Sequence, residues 1–120
     1  MTNKEFGKQL EKRSKKFAVE IILLSGKLPN SPEGKVVRNQ ITKSGTSIGA
    51  NYREANDALG KKDLIMRMKI ARKEAKETIH WLDLIEEANP ELKSRMQDIK
   101  QEALEIKNIL SSIIKKIESK

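Results

Sequence analysis

The residues best suited to catalysis or metal binding are glutamates and a histidine on a predicted helix. Glu77 and His80 have the Glu-x-x-His spacing that places two metal ligands on one helical face. A di-iron site of that kind needs a second such pair, and His80 is the only histidine in the chain. The absence of cysteine excludes thiolate zinc sites, iron–sulfur ligation and a cysteine nucleophile. We therefore predict no metal and no cofactor.

Three glutamates, Glu54, Glu74 and Glu77, could serve as acid and base if burial shifted their proton affinities. No nucleophile or metal accompanies them, and pairing with a nearby arginine or lysine is the commoner role of such carboxylates. We predict no catalytic residue and no enzymatic activity.

Lysine and arginine provide the strongest functional signal, because they are both concentrated and periodic. Residues 1–76 hold 18 Lys or Arg against 8 Asp or Glu, whereas residues 77–120 hold 7 against 9. Two stripes at helical spacing each place several cations on one helical face. The predicted nucleic-acid-binding residues are Lys69, Arg72, Lys73 and Lys76 in one stripe, with Lys62 and Arg67 upstream of it toward the loop, and Lys8, Lys12, Lys15 and Lys16 in the other.

These stripes are suited to phosphate groups, so the expected ligand is RNA or DNA, bound by its backbone with strong salt dependence. Only four aromatic residues are present, and most fall on apolar seams, which disfavours base stacking. The alternative is that the lysines serve solubility only. In that case the chain is a structural or adaptor protein that binds another protein.

Hydrophobic periodicity predicts an all-α fold made of four helices, with no convincing strand. A Ser31-Pro32 start, a stop at Gly60 and an Asn89-Pro90 break separate the segments. Residue 59, a leucine, is expected on the apolar seam of the second helix. The predicted helices cover about residues 4–26, 32–59, 61–88 and 91–118.

The fourth segment shows the clearest apolar seam, with spacings that alternate between four and three residues. Additional apolar residues lie off the seams and exceed what one bundle face requires, so we expect a second buried surface used for self-association. The fourth seam is Leu92, Met96, Ile99, Ala103, Ile106, Leu110, Ile113 and Ile117, and the additional residues are Leu104, Ile109, Ile114, Ile65, Ile70 and Ile79.

The short connections between long helices predict an antiparallel up-down-up-down four-helix bundle that forms a single domain over residues 1–120. No segment has enough uncharged apolar residues to span a membrane. The basic N-terminus lacks the apolar core of a signal peptide, so we expect a cytoplasmic protein with no membrane partner.

The segment SGTSIGANYREA, residues 44–55, carries two glycines four residues apart on the second helix. Each glycine costs a helix about 1 kcal/mol relative to alanine, so a compensating contact is expected. Gly45 and Gly49 would form a flat strip that another helix can approach closely. The alternative is a kink or break near Ser44 and Gly45.

These motifs carry a resemblance to a known family. Leu28-Pro29, Pro32-Glu33-Gly34, Asn39-Gln40, SGTSIGANYREA, Lys62-Asp63 and IARKEAKETIHWLDLI resemble the four helix bundle proteins encoded in intervening sequences of large-subunit ribosomal RNA genes. The similarity covers about residues 6–88, and the fourth helix is similar in pattern only.

The resemblance implies a ring-shaped homopentamer with no established catalytic activity. More distant relatives are basic pentameric accessory proteins of diversity-generating retroelements, which bind nucleic acid and a reverse transcriptase. By resemblance, the partners are therefore further copies of this chain, RNA or DNA, and a reverse transcriptase or other protein. The residues expected at helix contacts or the oligomer interface are Gly45, Gly49, Asn51, Tyr52, Glu54, Glu74, Glu77 and Trp81.

Overall fold

The predicted all-α fold with four helices is confirmed. The computed structural model describes residues 2–120, so Met1, the first residue of the predicted domain, lies outside the described residues. Over residues 2–120 there is no strand, and a short 3-10 helix precedes the last α-helix. The elements are α1 Asn3–Ser25, α2 Pro32–Asn56, α3 Lys61–Ala88, the 3-10 helix Pro90–Leu92, and α4 Lys93–Glu118.

The helix starts follow local capping chemistry. The Ser31 hydroxyl accepts a hydrogen bond of 3.0 Å from the Gly34 backbone N–H, and Pro32 occupies the first turn of α2, where a missing N–H is tolerated. Before α3, Gly60 has a φ of +136°, a conformation that side chains strongly disfavour. These local features define where α2 and α3 begin.

The second helix is shorter than predicted, since α2 ends at Asn56 rather than at residue 59. The chain leaves the helical conformation at Asp57, and the backbone N–H of Leu59 is held by the Asp63 carboxylate at 3.2 Å. Leu59 is 97% exposed, so its expected place on the apolar seam is wrong. The turn into α3 needs these residues, and the periodicity of α2 therefore stops one turn early.

The fourth helix begins at Lys93, because Pro90 starts a 3-10 helix rather than the predicted α-helix from residue 91. Its buried seam also shifts, since Ile114 is only 1% exposed while Ile113 is half-buried. A strict 3.5-residue repeat drifts by about 20° per heptad around a straight helix. After three heptads the drift is about 60°, which carries Ile113 to the edge and brings Ile114 into the core.

Successive helices pack along their lengths, and hydrogen bonds mark how they are aligned. The Asn56 amide at the end of α2 donates to Glu11 in the first half of α1 at 3.0 Å. Between α2 and α3, the hydroxyl oxygens of Thr78 and Ser44 are 2.9 Å apart in the core. Lys69 near the start of α3 lies 3.0 Å from Glu118 at the end of α4.

The seam between α1 and α4 is the sparsest contact among neighbouring helices. Arg13 crosses it and donates two hydrogen bonds of 2.7 Å to the Glu102 carboxylate and one of 2.9 Å to Glu105. A planar guanidinium that meets a carboxylate with two parallel bonds is the strongest common form of ion pair. Arg13 therefore links the first and last helices where their backbones approach each other least.

Several apolar side chains remain on the outside of the bundle. On α1, Val19, Ile22 and Leu23 are 48%, 49% and 63% exposed. Leu104, predicted as part of the surplus, is 40% exposed, whereas Ile114 belongs to the core and is not available to a partner. Over residues 2–120, none of the helices combines the length and apolar character required to cross a bilayer.

Candidate functional site

The basic stripe of α3 lies on the surface, and some of its charge is already neutralised. Lys62, Lys69, Lys73 and Lys76 are exposed, and Arg67 and Arg72 are half-buried. The Lys69 ammonium pairs with Glu118, and Arg67 lies 3.7 Å from Asp63 one turn earlier. Solvent-exposed ion pairs of this kind are screened by water and salt, so each contributes little free energy. The stripe nevertheless presents fewer free cations than its sequence suggests.

The basic stripe of α1 has a different environment. Lys8, Lys12, Lys15 and Lys16 are all exposed, and none of them forms an ion pair with any group of residues 2–120. Three of them, Lys8, Lys12 and Lys15, line a groove of about 420 Å³ together with Arg53 of α2. The same groove continues over small residues between α1 and α2.

The two glycines of SGTSIGANYREA allow α1 and α2 to approach closely. A Cβ added at Gly45 would lie 2.9 Å from Ile21 Cγ2, and one added at Gly49 would lie 3.0 Å from Ser14 Oγ. Tyr52, two helical turns after Gly45, is 3% exposed against α1, and burial raises the pKa of its phenol. α2 runs through Ser44 and Gly45 as an unbroken helix.

The other motif residues lie on α2 and α3 outside the α1/α2 contact made by the two glycines. Asn51 is half-buried and donates to the Ser47 carbonyl at 2.9 Å, while Glu54 is exposed. Trp81 is half-buried, and its ring meets the exposed His80 ring edge-on with centroids 5.0 Å apart. The predicted contact residues therefore fall into two groups. Gly45, Gly49 and Tyr52 pack against α1, whereas Asn51, Glu54 and Trp81 are half-buried or exposed.

Glu74 is the carboxylate most affected by its surroundings. Burial raises the pKa of Glu74 above the ordinary glutamate range, and the neighbouring Glu77 charge adds to the effect. Lys73 on the same helix and Lys43 on α2 oppose that rise. Within residues 2–120, no three histidine or acidic side chains are grouped so as to hold a metal ion.

Comparison with known proteins assigns a family to this arrangement. The model of the 23S rRNA-intervening sequence protein family matches residues 8–112, a range that includes both basic stripes and the glycine strip. The chain belongs to the 23S rRNA-intervening sequence protein family. The resemblance carried by the motifs of α2 and α3 is therefore confirmed, and it extends into α4.

A solved structure similar to this 23S rRNA-intervening sequence protein comes from Bacteroides thetaiotaomicron. It is described as a protein of unknown function from the S23 ribosomal protein family. The two chains are 39% identical and superpose with a TM-score of 0.83, over 91% of this chain and 97% of the other. Among proteins with curated descriptions, none matches this chain significantly.

Arg53 of this family member lies beside the α1 lysines, although helical spacing along α1 or α3 does not predict it. In the sequence it stands beside Glu54 and reads as one half of a local charge pair. The structure instead places it across from Lys15, because the Gly49–Ser14 contact sets the register of α2 against α1. No spacing within a single helix could have shown that Arg53 joins the α1 lysines.

Proposed function

We propose that this protein is a non-enzymatic, oligomeric protein that binds the phosphate backbone of RNA or DNA without strong sequence preference. The observation that supports the proposal is the set of exposed lysines on α1, none of which is neutralised within residues 2–120. Unpaired surface cations attract nucleic acid through its phosphates and release the counterions condensed on it.

The aromatic residues support recognition of the backbone rather than the bases. Phe17 and Tyr52 are 1% and 3% exposed, so neither ring is accessible to a base. Trp81 is half-buried, packs edge-on against His80 and does not line the groove of the α1 lysines. Sequence-tolerant binding of single strands elsewhere uses aromatic stacking platforms. The exposed aromatic ring on α1, Phe6, lines a separate pocket with residues of α4 and does not line the groove of the α1 lysines.

Titration with a labelled RNA of mixed sequence tests the proposal. Anisotropy would be measured at about 50 mM and about 200 mM salt, and a protein that contacts six phosphates of a single strand should lose affinity by roughly 300-fold between them. Lack of binding at the lower salt, or affinity indifferent to salt, would exclude phosphate recognition. DNA of the same sequence is the parallel probe.

For the assembly, we propose an antiparallel up-down-up-down bundle that forms a ring-shaped homopentamer. The first half of α1 lies beside the end of α2, and the start of α3 lies beside the end of α4, which supports the alternating direction. The exposed side chains of Val19, Ile22 and Leu23 on α1 support self-association, since contiguous exposed apolar surface marks interaction sites.

Light scattering tests the assembly. Five copies of the 13.7 kDa chain have a mass of about 68 kDa, and a particle with the mass of one chain would contradict self-association. Leu23→Glu should shift the particle toward smaller species, because a charge would be buried at the interface. Leu59→Glu, at an almost fully exposed position in the α2–α3 turn, is the matched control.

The alternative function is a structural adaptor that binds another protein, for example a polymerase such as the reverse transcriptase that the resemblance implies. An apolar groove of about 320 Å³ at one end of the bundle favours it, with Leu28, Val37 and Leu84 among its walls. Retained capture of a partner protein at high salt, without nucleic-acid binding, would favour this function over phosphate recognition.

A further inference from the structure

The two basic stripes differ in shape as well as in charge pairing. The α3 stripe follows a single helix, and Lys69 within it and Arg67 upstream of it pair with carboxylates of the same chain. The α1 lysines instead share a groove with a cation from a second helix. A site shared by two helices presents cations to a ligand from both of them, which a row along one helix cannot do.

Close packing of α1 against α2 creates this groove, which we call the α1/α2 groove. Its shallow floor is formed by small residues, among them Ser14, Ala18 and Gly49, which keep the two backbones near each other. Lys15 and Arg53 line the groove beside this floor. They also line the neighbouring basic part of the groove, together with Lys8 and Lys12. A strand can therefore approach the helix backbones between charged walls.

The charge of the α1/α2 groove is strongly one-sided. Lys8, Lys12, Lys15 and Arg53 are opposed by one carboxylate, that of Glu11, which already accepts a hydrogen bond from Asn56. In the described residues none of these four cations has an ion-pair partner within 4 Å. Four like charges around one concavity repel each other, and an anion relieves that repulsion.

We propose that the α1/α2 groove is the principal contact for a nucleic-acid strand. Arg53 would hold one phosphate with its two-pronged guanidinium, and Lys8, Lys12 and Lys15 would neutralise the neighbouring phosphates. From Lys8 to Lys15 the rise along α1 is about 10 Å. That length is about three times the 3.4 Å axial rise per phosphate of one duplex strand, so it spans about four consecutive phosphates. This proposal rests on the proposed nucleic-acid-binding function.

Two variants that remove the same number of positive charges test it. Both are compared with the unaltered protein by anisotropy of labelled mixed-sequence RNA across a salt series. Circular dichroism and light scattering check that fold and assembly are retained. The groove variant is K8Q/K12Q/K15Q/R53Q, and the control variant is K69Q/R72Q/K73Q/K76Q.

The groove variant should flatten the slope of log affinity against log salt by about 3, since each phosphate contact with a single strand contributes about 0.7. The control variant should flatten it by less than about 1. R53Q alone, at an exposed position where the fold has little to lose, should flatten it by about 0.7. R53K should keep the slope but weaken binding, because lysine retains the charge and loses the two-pronged geometry.

Equal losses in the two variants would overturn the inference and leave a diffuse surface attraction in its place. A larger loss in the control variant would overturn it as well. If the unaltered protein fails to bind RNA or DNA at about 50 mM salt, the proposed function falls and this inference falls with it. Binding of inorganic polyphosphate alone, with no binding of RNA or DNA, would overturn the assignment of a nucleic-acid strand.

Discussion

Gly45→Ala tests whether the α1/α2 contact depends on the absence of a side chain. A Cβ at this position would lie 2.9 Å from Cγ2 and 3.2 Å from Cβ of Ile21, a residue with no exposed surface. Carbon atoms in ordinary contact are about 3.5–4.0 Å apart. The helices must therefore separate by roughly 0.6–1 Å, or Ile21 must leave its rotamer.

Two opposing terms determine the size of the effect. Replacing glycine by alanine within a helix favours folding by about 1 kcal/mol. Inserting a methyl group into a packed core costs about 1–3 kcal/mol. The contact atoms of Ile21 are attached at its branched Cβ and cannot swing away, so we expect the second term to win by about 1 kcal/mol.

Gly7→Ala is the matched control, since it makes the same chemical change inside α1. Its new Cβ would meet nothing closer than the Tyr52 hydroxyl at 3.6 Å, so only the favourable term of up to about 1 kcal/mol applies. The variants should differ by about 2 kcal/mol, or about 8 °C in Tm for a domain of this size. Thermal unfolding followed by circular dichroism at equal protomer concentration measures both.

Measuring Gly45→Ala in a protein that also carries Ile21→Ala separates the packing effect on stability from other effects. Ile21→Ala removes the two γ carbons of Ile21, which make the closest contacts with the added methyl group, and leaves only its Cβ at 3.2 Å. The new methyl group then fills part of the cavity. In that background Gly45→Ala should become stabilising, which gives a coupling energy of about 2 kcal/mol. If Gly45→Ala stabilised the unaltered protein as much as Gly7→Ala does, the reasoning about close packing would be refuted.

Three further changes probe other contacts. Arg13→Met should lower stability by about 1 kcal/mol and less at high salt, because Arg13 is partly exposed and its pairs with Glu102 are screened; an unchanged urea midpoint would contradict a role in closing the α1/α4 seam. Gly34→Ala should destabilise by more than about 2 kcal/mol, because its Cβ would collide with the backbone carbonyl of Pro29; a Tm equal to that of the unaltered protein would disprove this. The raised pKa of Glu74 means that the folded state holds its proton to higher pH than the unfolded state does, so this group lowers stability as pH rises through its pKa. Glu74→Gln should therefore raise Tm near pH 7 and lose that advantage below about pH 4, and a gain of the same size at both pH values would contradict it.

The sequence by itself determined the four helices and the start of α2. The apolar seam from Met96 to Leu110 and the Ser31-Pro32 cap depend on residues close together in the chain. Helix periodicity and capping are local effects, so the pattern in one segment is enough to predict them. The motif resemblance also identified the family, which the comparison confirms.

The candidate site could be predicted from the sequence only in part. The α1 lysines were found because they recur at helical spacing on one element. Pairing of Lys69 with Glu118, which weakens the case for the α3 stripe, joins residues on different helices and has no signal in either segment. The same is true of Arg53, which faces lysines about forty residues away in the chain.

Only the tertiary structure decided the register between helices. It placed Arg53 beside Lys15 and left the α1/α4 seam to depend on Arg13. The burial of Ile114 in place of Ile113 follows instead from the geometry of one helix, because a helix of 3.6 residues per turn rotates away from a seam repeated every 3.5. Register depends on how side chains of two helices interlock, and no single helix contains that information.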